Sequence, residues 1–313
     1  MMEGRRAVAK AIAGLLPLLL GACSALESVP TNDSAPMLIQ VENLSDARPQ
    51  SGLQEASVVY EYVTEGGISR FSAIYLSPPD GRVGPIRSAR LVTISLARIY
   101  GAMIVFSGAS TYIKEQIQSA GIPNFDENSA NGDLFRDSAR AAPHNLYSDG
   151  SHLSDLASQA NAPERSWSLW HRTSTTSIAG GRTISEVTVP ISGTETPTFV
   201  YDSSVGGWRR SEPDTGPFID ADTGRPLVIP TLIVQQVTIE PTSEVIDVNG
   251  ATGLDHNITG SGRAQIFTAG REFDATWTQG SSGPPSFTAE DGPVPIARGL
   301  VWICLVPIGT TAS

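Results

Sequence analysis

The chain has 313 residues, with 32 acidic against 21 basic side chains and a formal net charge of −11 at pH 7. So acidic a surface repels a phosphate backbone, which argues against general nucleic-acid binding. The two cysteines and four scattered histidines form no HExxH pattern and no cysteine pair. We therefore expect no metal site, no intrachain disulfide and no cofactor.

The N-terminal segment has the pattern of an export signal. Basic residues between positions 5 and 10 precede an apolar stretch, residues 11–20, that is too short to span a bilayer. The stretch ends in Leu20-Gly21-Ala22-Cys23, the kind of sequence that lipoprotein signal peptidases cleave before the cysteine. We predict a signal peptide at residues 1–22, lipidation of Cys23 and a flexible tether at residues 23–36.

This anchor would hold the protein at the extracytoplasmic face of the cell membrane. An ordinary cleaved signal peptide and an uncleaved anchor are the alternatives. The Arg5-Arg6 pair also resembles a twin-arginine signal, so the sequence leaves the export route open.

Strands and helices alternate in the predicted N-terminal domain, residues 37–165. Short apolar runs predict strands, and apolar residues at helical spacing predict helices. The strands are expected at 38–41, 58–63, 71–76 and 102–106, and the helices at 91–100, 112–120 and 152–160. This alternation favours an α/β-type sandwich.

The pattern changes after a Ser- and Thr-rich linker at residues 166–182, where Trp167 and Trp170 are expected to pack the junction. The predicted strands of the C-terminal domain, residues 183–313, lie at 183–191, 198–202, 232–240, 263–269, 271–277 and 300–306. Gly, Pro and Asp turns join them without a helical run, which predicts a mostly β domain. Ala269-Gly270-Arg271 is predicted to form a tight hairpin turn. The whole chain is thus assigned to the α+β class. Cys304 lies in the last apolar run and is predicted to be buried and inert.

A basic island interrupts the acidic background. Between positions 68 and 114 six basic residues accompany one acidic residue, a local net charge of +5. Within it, Arg87, Ser88 and Arg90 lead into the predicted helix at 91–100, with Ser88 as a plausible N-cap. Two guanidiniums beside a helix N-terminus, with Arg70 nearby, predict a site for phosphate or carboxylate.

The competing interpretation is that acidic residues of the protein itself neutralise these arginines. Glu61 and Glu65 flank the strand before Arg70, and Arg–Glu pairs between neighbouring strands are common scaffolding. A mixed arrangement, in which Glu61 orients an arginine that still meets a ligand, is also open.

A second polar group follows at Asp137, His144 and Asn145. His144 lies in a turn-like segment near the candidate acid Asp137, and histidine can exchange a proton near neutral pH. Ser88, His144 and Asp137 are the residue types of a catalytic triad, although their spacing matches no nucleophile motif.

Several long motifs give the chain a family resemblance. They include Gly84-Pro85-Ile86-Arg87-Ser88-Ala89-Arg90 and the segment from Ala142 to Tyr147. Others are residues 41–43, 47–53, 59–62, 65–71, 136–137, 223–224, 232–235, 260–264, 291–292 and 299–307. Over nearly the whole mature chain the sequence resembles the YerB-like lipoprotein family, whose function is unknown. Ser69 stands where that pattern has Thr, which retains the hydroxyl. The resemblance implies an exported two-domain lipoprotein and no established reaction.

Two hypotheses of function follow. The first is a binding or scaffold lipoprotein with an anion pocket, whose ligand is a cell-wall or polyprenyl phosphate or the carboxylates of an envelope protein partner. Its predicted ligand-binding residues are Arg70, Arg87, Ser88, Arg90, His144 and Asn145, supported by Glu61, Glu65 and Asp137. The alternative is an envelope enzyme that acts on a phosphate ester or cell-wall glycan, with Glu61, Asp137 or His144 as the acid–base group.

Overall fold

The computed structural model describes Met1 and residues 35–164, 169–170, 172–213, 216–247, 249–280 and 283–313. The predicted signal peptide after Met1, the predicted lipidation site Cys23 and nearly all of the predicted tether lie outside the described residues. So does Trp167 of the predicted junction. Trp170 is described, and its indole N–H donates to the Pro285 carbonyl at 2.7 Å.

Three helices and eight strands form the first half of the described chain. The helices are α1 (Leu91–Tyr100), α2 (Thr111–Ser119) and α3 (Gly150–Gln159). The strands are β1 (Met37–Glu42), β2 (Val58–Val63), β3 (Ser69–Tyr75), β4 (Arg82–Val83), β5 (Met103–Val105), β6 (Asn124–Phe125), β7 (Phe135–Arg136) and β8 (Leu146–Asp149).

The second half is built from strands. They are β9 (Arg172–Thr173), β10 (Arg182–Thr183), β11 (Glu186–Thr188), β12 (Thr198–Asp202), β13 (Gly207–Glu212), β14 (Gly216–Pro217), β15 (Thr231–Val245), β16 (Thr252–Asn257), β17 (Gly260–Thr268), β18 (Arg271–Gln279), β19 (Ser286–Ala289), β20 (Gly292–Pro293), β21 (Ile296–Ala297) and β22 (Val301–Pro307). The fold is therefore mostly β.

One long sheet connects the two halves. Among the described residues its strands run in the order β20-β19-β18-β17-β15-β22-β2-β3-β1-β5-β6. The late strand β22 lies between β15 and β2 and pairs in parallel with both. Its residues from Val301 to Val306 are all buried, as expected of a central strand that is covered on both faces. The predicted boundary at residues 166–182 stays a prediction, and strands from both sides of it share this sheet.

Apolar side chains pack on both faces of the sheet. Helices α1 and α2 cover one face together with Tyr60 and Tyr62 of β2, and we call this the helix face. The other face packs against β11, β12 and β13, where Phe71 and Trp302 of the long sheet meet Phe199 and Trp208. Since successive residues of a strand point to opposite faces, the two faces carry separate sets of polar groups.

Two local predictions agree with the structure. Ala269 and Gly270 form the tight turn between β17 and β18, with φ values of 51° and 68° that suit a two-residue hairpin. Cys304 is fully buried on β22, and burial raises the pKa of its thiol well above the usual value. A buried, protonated thiol is a poor nucleophile.

Candidate anion-binding site

Arg70 lies at the centre of the candidate site on the helix face. It occupies β3 directly between Glu42 of β1 and Tyr62 of β2 in the strand register. The residue is 4% exposed, and its Nη1 donates to the carbonyl of Ser88 at 3.2 Å. Its Nε has no hydrogen-bond partner among the described residues.

The two arginines near helix α1 both have carboxylate partners. Arg87 Nε donates to Glu42 Oε1 at 2.8 Å, and Arg90 Nε donates to Glu65 Oε2 at 2.6 Å. The second oxygen of Glu42 lies 2.9 Å from Nδ1 of His144. Glu42 therefore directs its two oxygens to Arg87 and His144, and not to its cross-strand neighbour Arg70.

Arg70 is consequently a buried cation without an ion pair among the described residues. Burial and the nearby charge of Arg90 lower the pKa of its guanidinium to about 9, although Tyr62, Glu65 and Glu42 act in the opposite direction. The group still carries a proton at neutral pH. A buried charge without a counter-ion is costly, so an anion beside Arg70 would stabilise the site.

The edge of the site is accessible to solvent. The side chains of Arg87 and His144 are 23% and 17% exposed, and Ser88 is half-buried. Ser88 is not the N-cap of α1. That position belongs to Arg90, whose backbone N–H donates to the Thr93 hydroxyl at 2.9 Å, while Ser88 Oγ donates to the Ser107 carbonyl. The local cause is Thr93, which supplies the capping acceptor from inside the helix.

A buried network holds the floor of the site in place. The side-chain oxygen of Gln40 accepts from Ser72 at 3.0 Å and from Thr93 at 2.9 Å, and its Nε2 donates to Tyr62 at 2.6 Å. Through Thr93 this network joins the first turn of α1 to the centre of the sheet. Satisfied buried networks of this kind rigidify the groups around them.

The loop before β8 carries His144, and Asn145 holds that loop. Asn145 Nδ2 donates to the carbonyls of Asp137 and Arg140, and its oxygen accepts from Arg136. The Asp137 carboxylate forms an ion pair with Arg82 at 2.7 Å, while His144 contacts Glu42. The Ser88–His144–Asp137 triad is therefore not assembled. Asp137 supports the loop through its backbone and through its carboxylate, which accepts from the N–H of Ala139 at 2.8 Å.

Glu61 is also displaced from its predicted role. Strand alternation places it on the face opposite Arg70, where it is fully buried. Its carboxylate accepts from Arg210 at 2.5 Å and from the Trp302 indole at 2.8 Å. Glu61 therefore neither orients the arginines of the helix face nor has the solvent contact of an acid–base group. Of the two predicted glutamates, Glu65 alone pairs with the basic island.

A second charged cluster surrounds Arg210 on that opposite face. Arg210 also pairs with Glu212 at 2.5 Å, and Arg48 lies 3.5 Å from Glu212 and 3.6 Å from Glu195. This cluster was not predicted from the sequence, because its members are far apart in the chain. In the structure Trp208, Arg210 and Glu212 alternate as buried residues along β13.

Glu195 gives this cluster a testable pH dependence. Burial, together with the charges of Glu212 and Glu61, raises the pKa of Glu195 to about 7 despite Arg48 and Arg210. A glutamate in the unfolded chain ionises near pH 4.3. Between these values the folded state retains a proton that the unfolded state has lost, so stability falls as the pH rises.

We expect the free energy of unfolding of the wild-type protein to fall by roughly 1–3 kcal/mol more than that of Glu195→Gln between pH 5 and pH 8. Urea denaturation at both pH values measures the difference. Glu186→Gln, at an exposed position on β11, is the control and should retain the wild-type pH dependence. Parallel pH profiles for wild type and Glu195→Gln would contradict the prediction.

The sequence of the chain matches a family whose function is unknown. Residues 24–163 match the N-terminal domain, and residues 187–303 the C-terminal domain, of the family described as protein of unknown function (DUF3048). The chain belongs to this family.

Its similarity to known proteins extends over most of its length. It is 29% identical over 285 residues to the Bacillus subtilis (strain 168) protein named "Putative lipoprotein YerB", covering 89% of this chain and 83% of that protein. The crystal structure of YerB protein from Bacillus subtilis superposes with a TM-score of 0.78 at 24% identity, covering 92% of this chain and 97% of that one. In the described part of our chain, no helix is long and apolar enough to cross a membrane.

Proposed function

We propose that this protein is a lipid-anchored binding or scaffold lipoprotein of the cell envelope that recognises an anionic group at Arg70. The lipid would be attached at Cys23, which places the folded chain at the extracytoplasmic face of the membrane. The name of the Bacillus subtilis relative and the signal-peptide pattern of residues 1–22 support the anchor.

One observation carries the binding proposal. Arg70 is buried and cationic, and its Nε has no acceptor in the described chain. Glu42, the carboxylate nearest to it in the strand register, is already engaged by Arg87 and His144. An anion with several oxygens would accept from Arg70 and leave the existing ion pairs intact.

Phosphate is the anion that we favour. Its oxygens can accept from Arg70 and, at the open edge beside the first turn of α1, from Arg87 and His144. The hydroxyl hydrogen of Ser88 is already donated to the Ser107 carbonyl. Cell-wall and polyprenyl phosphates share this group and would reach a protein held at the membrane. Of the acid–base groups considered for an enzyme, His144 alone remains beside the arginines, so we retain binding as the function.

Thermal unfolding with and without anions tests the site. We expect inorganic phosphate or pyrophosphate, at about 100 times its Kd, to raise the Tm of the wild-type protein by about 5 °C or more. Arg70→Gln should lose most of this shift, as should the double variant Arg87→Ala with Arg90→Ala. Arg98→Gln, an exposed arginine on the same helix, should retain it.

Acetate and citrate test which kind of anion binds. A larger Tm shift with these carboxylates than with phosphate would favour a partner's acidic side chains as the ligand.

Arg70→Lys keeps the positive charge but loses the planar guanidinium group, so this variant should bind phosphate more weakly than the wild type while staying folded. Equal Tm shifts in wild type and Arg70→Gln would refute the anion site.

A further inference from the structure

A groove of about 640 Å³ lies on the sheet of the second half and contains none of the arginines of the anion site. Its floor is a polar surface of three neighbouring strands. The register places Arg263 of β17 beside Thr276 of β18, and Thr276 beside Thr288 of β19, in one row. Gln265 and Asp274 form the next row. A groove of this volume is large enough for a small-molecule ligand or one segment of a polymer.

The C-terminal segment forms a fixed wall of this groove, to which Thr311 contributes. Gln236 Nε2 donates to the carbonyl of Thr310 at 2.7 Å, and the N–H of Ala312 donates to Gln265 Oε1 at 2.8 Å. Ser313 pairs with Thr188 through two backbone hydrogen bonds. Since floor and wall are both held by hydrogen bonds, the groove is a built feature of the fold.

Several polar groups in the groove have no partner among the residues that the structure describes. In the described parts of the chain, Arg263, Asp274, Thr276, Thr288 and Glu290 make no side-chain hydrogen bond or ion pair. Gln236 and Gln265, in contrast, are engaged with the C-terminal segment. The floor therefore presents a guanidinium, two hydroxyls and two carboxylates to whatever occupies the groove.

The groove lies on the face of the sheet opposite the helix face. Ala275 and Trp277 of β18 pack on the helix face, so the intervening Asp274 and Thr276 point to the other side. The groove crosses β19, β18, β17 and β15. Neighbouring strands lie about 4.8 Å apart, so it spans about 14 Å.

We propose that this groove binds a neutral oligosaccharide. Among its described lining residues Arg263 is the one cation, against the carboxylates of Asp274 and Glu290, so a polyanion would be repelled. Sugar hydroxyls both donate and accept, which matches a surface of carboxylates, hydroxyls, amides and a guanidinium. The length of the groove suits a short extended chain of sugars. This binding does not depend on the anion at Arg70.

Saturation-transfer NMR with cellotetraose and chitotetraose as probes tests the proposal on the folded protein. We expect transfer to at least one of these oligosaccharides. The double variant Arg263→Ala with Asp274→Ala should bind about tenfold more weakly or worse, because it removes two hydrogen-bonding charged groups. Thr276→Trp should block the groove by volume. Thr278→Trp is the matched control, since Thr278 is equally exposed on β18 but does not line the groove.

The outcomes separate this site from the anion site. Retained oligosaccharide binding in Arg70→Gln would place the sugar away from the arginines of the helix face. The proposal is overturned if neither oligosaccharide binds the wild-type protein, if polyphosphate binds the groove in their place, or if Thr276→Trp and Thr278→Trp bind equally well.

Discussion

Replacement of Arg210 by alanine is expected to destabilise the folded protein by about 3–5 kcal/mol. The guanidinium is fully buried and pairs with Glu61 and Glu212, which are buried as well. It also stacks on the Phe218 ring, with Cζ 4.1 Å from the ring centroid. Without Arg210 the two carboxylates stay in the interior with fewer compensating charges, and this penalty exceeds the loss of packing.

Arg209 provides a control on the same strand. Its ion pair with Asp202 lies at the surface, where both side chains are partly exposed, so Arg209→Ala should change stability by about 1 kcal/mol or less. Urea denaturation gives both values. Combining Arg210→Met with Glu61→Gln and Glu212→Gln should recover part of the loss, because the uncompensated charges are then gone. Equal effects of Arg209→Ala and Arg210→Ala would show that the buried network contributes no more than a surface ion pair.

The second large effect is expected at the anchor. Cys23→Ser should block lipidation and the cleavage that follows it, so the protein should lose its stable membrane association. Two acyl chains, each contributing about 0.8 kcal/mol per buried CH₂, hold a lipoprotein stably in a bilayer. Cell fractionation and Triton X-114 partitioning measure the change, and mass spectrometry of the N-terminus identifies the acyl groups.

Ser24→Ala is the control for the anchor, because it alters the neighbouring residue and keeps the cysteine. This variant should remain in the membrane and detergent fractions. A wild-type protein that is soluble in the cytoplasm with residues 1–22 intact would refute the anchor. The extracytoplasmic setting of the proposed ligands would then be lost as well.

Apolar periodicity was sufficient to predict most of the elements that place the site. Helix α1 has the predicted bounds, and β1, β2 and β3 begin and end within two residues of theirs. Strand β13 was missed for a physical reason: its inward-facing residues are Trp208, Arg210 and Glu212. Charged residues that point inward break the apolar pattern by which strands are recognised.

The composition of the basic island could be predicted from the sequence, but the ion-pair partners of its arginines could not. The local charge indicated Arg70, Arg87 and Arg90, because charged residues can be counted along the chain without knowing which residues contact them in the fold. The identity of each partner depends on strand order and on alternation across the sheet. Glu42 was therefore overlooked, and Glu61 was expected beside the arginines although it lies on the opposite face. The register that places Glu42 beside Arg70 follows from β1 pairing with β3, and one sequence alone does not reveal that pairing.

The place of β22 in the sheet has a consequence for the order of folding. This strand follows every other described strand in the chain, yet it separates β2 from β15. During synthesis both neighbours emerge before the strand that joins them, and each exposes an unpaired edge until β22 arrives. The sheet is therefore completed only after translation has passed residue 301. If the chain crosses a membrane unfolded, most of it reaches the outside before β22 can take its place between β2 and β15.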